Sequence, residues 1–372
     1  MQKNMISIGL MSGTSGDGVD ASIIETNGVD HYNLIKDKYF EYETSIYKDI
    51  HNLKEKIHKI EHLEIFKTEL DNLERKITIF HAKIIKELSV TEETIVGFHG
   101  QTIYHNSKEK ISRQLGNGKL LNQLTKKDIV FNFRKNDILN EGEGAPLTPI
   151  FHHLLCLKNK IKLPVCFLNI GGISNITIIN DKDDLNKLTS KDIGPGNCLI
   201  DNWVRKNSKK KFDLNGVLAA CGNRNEIIFE QAQELYMNRS NKKKLSFDTN
   251  DFDISFVRGL NFEDGVTTLT DFTASIIGEE LSLSLNKTKH GIKNVLLCGG
   301  GRKNNYLIKK IKENLPANLI LEPIDNYKIN GDFIESQAFA FLAVRSILKL
   351  PISFPNTTGC KKPCIGGEII KN

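Results

Sequence analysis

Only seven cysteines occur in 372 residues, an odd number without a C-x-x-C spacing, and Cys360 and Cys364 form the one close pair. That usage excludes a disulfide framework and points to reduced, buried thiols in a cytoplasm. The N-x-S/T matches at Asn238 and Asn286 then carry no meaning for glycosylation. Long apolar runs are missing as well. The opening MQKNMISIGL lacks the apolar core of a secretion signal, and the longest apolar stretch, LPVCFLNIGGISNITII, is broken by Asn169, Gly171, Gly172 and Asn175. Basic runs interleaved with aromatics are absent, which disfavours nucleic acid as a partner.

Several nucleotide and hydrolase signatures fail in turn. The segment LGNGKLL lacks the upstream glycine of a P-loop and has Leu120 where Ser or Thr should follow Lys119. No G-x-G-x-x-G opens a helix after a strand, so a dinucleotide fold is disfavoured. The nucleophile elbow G-x-S-x-G fails by one place at Gly13, Thr14, Ser15, Gly16 and Asp17.

What is present is a soluble, globular composition, 39% hydrophobic and 26% charged, at a length that favours two domains. The net charge of +6 is spread along the chain, as in KKDIVFNFRKND, and suits small anionic substrates. The run IGLMSGTSGDGVDASII reads as strand, tight loop, strand. Gly13, Gly16 and Gly18 allow backbone amides to converge, and Ser12, Thr14 and Ser15 add hydroxyl donors. Asp17 and Asp20 can hold a metal ion or its waters, so the loop suits a magnesium-bound polyphosphate. An ordinary glycine-rich hairpin is the alternative.

Farther along, residues 49–88 place Ile50, Leu53, Ile57, Ile60, Leu63, Leu70, Leu73, Ile77, Ile84 and Leu88 at helical intervals. One or two amphipathic helices packed on a sheet follow, in preference to a coiled coil. ETIVGFHGQTIYH reads as a buried strand running into a functional loop at His99, Gly100 and Gln101. Pro146 and Pro149 start a helix through PIFHHLLCL. LPVCFLNIGGISNITIIND mirrors the opening hairpin. DIGPGNCLIDNWV reads as a strand end, a turn and a helix start. NVLLCGGGRKNNYLIKKIKENL adds a strand, a triple-glycine turn and an amphipathic helix, and FIESQAFAFLAVRSILKL is a strongly apolar helix. Alternation of strands and helices makes the fold α/β. One metal motif matches: His58, Glu61 and His62 fit H-x-x-E-H, but in a helix crowded with Lys and Glu a solvated face is the better reading.

The opening loop, the hairpin at Gly171 and Gly172 and the turn at Gly299, Gly300 and Gly301 together resemble the actin, Hsp70 and sugar-kinase superfamily, with two ribonuclease-H-like lobes and ATP in the cleft. Within it, GLMSGTSGDGVD, GFHGQTIYH, FRKNDILNEGEGAPLTPIFH, NIGGISNIT, DIGPGN and CGGGRKN occur in the order of the anhydro-N-acetylmuramic acid kinases, over nearly the whole chain.

The resemblance implies an enzyme that hydrolyses the 1,6-anhydro ring of its sugar and phosphorylates O6, giving N-acetylmuramate 6-phosphate and ADP in cell-wall recycling and amino-sugar catabolism. It implies ATP and Mg²⁺, with Gly13, Thr14, Ser15, Gly16, Asp17, Gly18, Val19 and Asp20, the hairpin pair Gly171 and Gly172, and Gly299, Gly300 and Gly301 on the nucleotide. Asp192 of DIGPGN matches the catalytic base, and a helix start just after it favours the ionised carboxylate. Arg134 matches the residue that binds the lactyl carboxylate, the alternative being an ion pair with Asp137. Gly100, Gln101 and Glu335 match substrate contacts.

Lobe I would comprise 1–145 with 336–372, and lobe II 146–335, with closure on substrate, a cytoplasmic location and a homodimer. Partners would be the sugar and ATP alone, with no nucleic acid and no membrane. The chain departs from the family pattern at Asn117, Asn132 and Glu141, on the expected sugar side. Two other readings are a kinase of another amino sugar and a non-catalytic nucleotide sensor.

Overall fold

Two runs of small and β-branched residues open the chain as a hairpin: β1 (Met5–Ser12) and β2 (Gly18–Thr26) pair antiparallel, with Met11 opposite Asp20. The computed structural model describes residues 3–238, 245–286 and 291–372. β3 (Tyr32–Glu41) pairs antiparallel with β2 and forms the edge of the first sheet. The apolar pattern of residues 49–88 then gives not one or two helices but α1 (Thr44–Lys54), α2 (Glu61–Ile65) and α3 (Lys67–Glu87). Their apolar faces share one core with the sheet: Ile50, Leu53, Leu73, Ile77 and Ile84 pack with Ile8, Val96 and Phe98.

β4 (Ile95–Asn106) runs parallel to β1 and antiparallel to β5 (Ile111–Leu115). After α4 (Gly118–Thr125), β6 (Ile129–Phe131) lies parallel to β4, followed by α5 (Lys135–Leu139) and by α6 (Pro149–Lys158), which has Pro149 in its first turn. The loop expected at His99, Gly100 and Gln101 is instead strand. Its register against β1 slips by one residue there, so that Phe98 faces Leu10 and Gly100 faces Met11. Gly100 takes φ +75°, and the bulge re-aims His99.

The second unit starts with β7 (Val165–Ile170), antiparallel to β8 (Ile173–Ile179), then β9 (Thr189–Pro195) and α7 (Cys198–Asn207). It continues through α8 (Glu226–Met237), α9 (Phe262–Asn286), β10 (Asn294–Cys298), α10 (Asn305–Glu313) and β11 (Ile320–Pro323). β10 is parallel to both β7 and β11. Its sheet core joins Leu168, Ile176, Ile193 and Val295 to Ala274 and Ile277 of α9 and Leu307 of α10.

The chain returns to the first unit with α11 (Ile334–Ile347), β12 (Pro351–Ser353), α12 (Pro355–Thr358), β13 (Cys364–Ile365) and β14 (Glu368–Ile370), which extends the sheet beyond β6. α11 lies so close to the sheet that a Cβ on Gly9 would fall 1.9 Å from the Ser336 carbonyl oxygen, and one on Gly97 2.3 Å from that of Phe339.

The first unit comprises Met1–Lys162, Asp181–Thr189 and Phe333–Asn372, the second Leu163–Asn180 and Ser190–Asp332. The helix α6, placed in the second lobe by the sequence reading, therefore sits in the first. The cause is aromatic packing: Phe151 meets Tyr32 at 5.3 Å and Phe341 of α11 at 5.7 Å. One strand order, β3-β2-β1-β4-β6, recurs in the second sheet as β9-β8-β7-β10-β11. The fold is thus α/β, with a ribonuclease-H-like sheet in each unit. Among the described residues, no helix is long and apolar enough to cross a membrane.

Candidate active site

Between β1 and β2 the chain reverses over residues 13–17. The Gly16 N–H donates to the Gly13 carbonyl at 3.2 Å, and Gly16 takes φ +62°. Thr14 and Ser15 are exposed; the Ser15 hydroxyl donates to Asp17 Oδ1 at 2.6 Å, and the Lys54 ammonium to the Thr14 carbonyl at 2.7 Å. A Cβ on Gly18 would meet the Phe40 carbonyl oxygen at 2.4 Å. Val19 is fully buried in the core. Asp17 and Asp20 are half-buried. Burial pushes the Tyr39 hydroxyl up, and the negative charges of Asp17, Glu41 and Asp20 around it push it further.

Gln101 does not face outward. It is fully buried, with its Nε2 donating to the Gly13 carbonyl at 3.0 Å and its Oε1 accepting from the Ser12 hydroxyl at 2.6 Å. Gly100 beside it is packed so closely that a Cβ would sit 2.5 Å from the Leu115 carbonyl oxygen. Both residues shape the opening loop and its neighbouring strand.

Arg134, half-buried at the start of α5, donates through Nη1 to the Gly144 carbonyl at 2.8 Å and through Nη2 to His99 Nε2 at 2.9 Å. A guanidinium cannot accept, and a carbonyl cannot donate. His99 therefore carries its proton on Nδ1, which meets the Gly100 carbonyl at 2.7 Å. Burial and then the Arg134 charge hold the imidazole well below its ordinary range, so it stays neutral. Glu335, in the first turn of α11, has its carboxyl raised by burial against the pull of the Arg134 charge. Arg134, His99 and Glu335 form one electrostatic group. Asp137, the alternative partner, accepts from the Gly144 N–H at 2.7 Å, the Thr358 hydroxyl at 2.6 Å and the Ser353 hydroxyl at 2.5 Å.

In the second unit Asp192 lies on β9, buried to 8% exposure. Its Oδ2 accepts the Phe247 N–H at 2.8 Å, and its own N–H donates to the Leu245 carbonyl at the same distance. The sequence reading had the amino end of α7 acting on this carboxylate. That end is closed from elsewhere: the Gly196 and Cys198 amides donate to the Gly172 carbonyl, and the Asn197 amide to that of Gly171. The half-buried hairpin turn at Gly171 and Gly172 thus supplies carbonyls to α7, and Asp192 is fixed by the 245–247 backbone.

The triple-glycine turn follows β10. Gly299 takes φ +77°, and a Cβ there would lie 2.4 Å from Asn169 Oδ1; one on Gly301 would lie 2.3 Å from Ile170 Cγ2. A Cβ on Gly300 would point into open space. Arg302 braces the turn, with Nε and Nη2 bidentate on Asp325 at 2.7 and 2.9 Å and Nη1 on the Gly299 carbonyl at 3.0 Å. Its Nη1 also reaches Asp332 at 2.5 Å, and its hydrogen bonds hold the Asp325 carboxyl below the usual range.

The family model described as anhydro-N-acetylmuramic acid kinase matches residues 5–372. The chain belongs to that family. A relative of the same description from Pelagibacter ubique (strain HTCC1062) is 55% identical over 375 residues, covering 100% of both chains. One from Zymomonas mobilis is 35% identical over 98% of this chain and 99% of its own, and one from Agrobacterium fabrum 33% identical over 98% of each.

The three departures from the family pattern now have a local setting. Asn117 is the N-cap of α4, its Oδ1 accepting the Leu120 N–H at 2.9 Å, a position where Asn and Asp serve equally. Glu141 is exposed and paired with Lys361 at 2.6 Å, which lowers its carboxyl. Asn132 takes φ +52°, a conformation that Asn tolerates better than most residues. The metal motif is not on one helix. His58 and Glu61 straddle the junction of α1 and α2, and the imidazoles of His58 and His62 meet the Glu55 and Lys56 carbonyls at 2.8 and 2.7 Å.

Sequence reasoning for this kinase family member named His99 and Asp137 but missed Arg302, whose carboxylate partners Asp325 and Asp332 lie 23 and 30 residues farther along the chain.

Proposed function

We propose that this chain is an ATP-dependent kinase that hydrolytically opens 1,6-anhydro-N-acetylmuramic acid and phosphorylates O6, serving the reuse of cell-wall sugar. The observation that carries the reading is Asp192, a buried carboxylate with one oxygen committed to a backbone N–H at 2.8 Å. A buried carboxylate oriented by the backbone in this way suits the role of a general base toward a water bound beside it.

In this reading water attacks C1 while Asp192 takes its proton. The bond from C1 to O6 breaks, and O6 attacks the γ-phosphorus, releasing ADP. Phosphoryl transfer depends chiefly on placement and charge neutralisation, and the loop of residues 13–20 offers amides and hydroxyls for the phosphates. The carboxylates of Asp17 and Asp20, with hydroxyls beside them, suit a hard dication such as Mg²⁺. When bound, Mg²⁺ offsets the negative charge of the phosphates. Gly171 and Gly172 present the second phosphate turn, and the open face of Gly300 receives the nucleoside. Arg134, held in plane by His99 and Gly144, takes the lactyl carboxylate, and Glu335 contacts the sugar.

The free state of all seven cysteines agrees with a cytoplasmic enzyme. A homodimer rests on the family pattern alone. Asp192→Asn keeps the size of the side chain and removes the base. Turnover should fall by at least about a thousandfold, within the range of a lost general base with its hydrogen-bond geometry retained. Binding of a nonhydrolysable ATP analogue, followed by calorimetry, should stay near wild type. Wild-type turnover in this variant would remove Asp192 from the chemistry.

A further inference from the structure

The opening loop leaves the β1–β2 ladder after Met11 and rejoins it near Asp20, so both of its feet need support from other elements. Tyr42, just past the end of β3, reaches both. Its backbone N–H donates to the Asp17 carbonyl at 2.9 Å, at the far foot. Its hydroxyl lies 3.1 Å from the Ser12 hydroxyl, at the near foot. Ser12 has one proton to give, and Gln101 Oε1 at 2.6 Å and the Gly18 carbonyl at 3.0 Å are its acceptors. The Tyr42 hydroxyl is therefore the donor to Ser12. Gln101 then closes the circuit through its Nε2 on the Gly13 carbonyl, the same carbonyl that receives the Gly16 amide. All three side chains are buried: Tyr42 is 4% exposed, Ser12 1% and Gln101 0%.

We propose that Tyr42 is a positioning residue for the phosphate-binding loop, fixing its two feet through Ser12 and Asp17, with Gln101 as the relay to Gly13. The proposal rests on the kinase reading above, in which that loop holds ATP. It also gives Gln101 a role on the nucleotide side and not on the sugar. Burial raises the phenol far above any working pH, so the hydroxyl remains a donor throughout. Without it, the Ser12 proton is free to swing from Gln101 to the Gly18 carbonyl, and the Gln101 amide loses the contact that aims it. A buried network behaves as a unit, so the fault reaches Gly13.

Tyr42→Phe isolates this role. It keeps the ring against Phe80, whose centroid lies 5.0 Å away, and it keeps the backbone bond to Asp17. The KM for ATP should rise about fivefold, the loss of one buried hydrogen bond. The KM for the anhydro sugar should hold. Ser12→Ala breaks the same relay one link on and should produce the same split. The double variant should be no worse than Ser12→Ala alone, because the two side chains act in series.

An unchanged KM for ATP in Tyr42→Phe, an equal rise for both substrates, or effects that multiply in the double variant would overturn the proposal. Wild-type protein inert toward ATP and the anhydro sugar would refute the kinase reading and this proposal with it. An active wild type without the ATP-specific loss in Tyr42→Phe would refute this proposal alone.

Discussion

Gly300 differs from the glycines on either side of it. Gly299 and Gly301 are required by the protein itself, since a Cβ at either would fall within 2.4 Å of Asn169 or Ile170. Gly300 has open space where a side chain would be, and in the kinase reading that space is left to the nucleoside. Gly300→Val should therefore leave the melting temperature unchanged and raise the KM for ATP by about tenfold, the equivalent of ~1.4 kcal/mol of lost contact. Steady-state kinetics at saturating sugar would measure this. An unaltered KM would place the nucleoside elsewhere. Arg134 gives a second lesson at this scale. Its fork donates to His99 Nε2 and the Gly144 carbonyl, which orient the guanidinium, with the Glu335 carboxyl within its field. In the kinase reading this oriented cation is what the lactyl carboxylate would meet. Asp137 is occupied by the Gly144 amide and two hydroxyls.

Among the elements, α11 is packed closely on the first sheet. It rests on β1 and β4 through Gly9 and Gly97, and it carries Glu335 into the group formed by Arg134 and His99. Gly97→Ala would place a methyl group 2.3 Å from the Phe339 carbonyl oxygen, a backbone atom that can give way only if the helix moves. Unfolding by urea should show a loss of about 1–3 kcal/mol, the usual cost of overpacking. Stability equal to wild type would mean that the helix is free to shift. The glycine turns and the strand-turn-helix order of each unit were legible in the sequence, because their signals lie within a dozen residues. The break-up of residues 49–88 into three helices was not, since the hydrophobic stripe continues across Ile57 and Leu63 while the backbone turns. The bulge at His99 was misread as a loop, because strand and loop differ there only in pairing with β1. The partners of Gln101 were hidden for a like reason, since Ser12 and Gly13 lie far from it in the chain.

At the scale of the molecule, the two units repeat one strand order and divide the proposed chemistry. The first holds the loop of residues 13–20, Arg134 and Glu335; the second holds Asp192 and the triple-glycine turn. Family membership was legible from motif order alone, since six short segments in one sequence over the whole chain are far more specific than any one of them. The supporting side chains were not, because Tyr42 and Arg302 act across the fold. The central claim is that one turnover adds both a water and a phosphoryl group to the sugar. Its most direct test is the mass of the product formed from 1,6-anhydro-N-acetylmuramic acid, ATP and Mg²⁺ in ¹⁸O-labelled water. The account predicts N-acetylmuramate 6-phosphate with a single heavy oxygen, at C1, and one ADP for each product. A phosphorylated sugar that still contains the anhydro ring, or ATP hydrolysis that does not depend on the sugar, would contradict it.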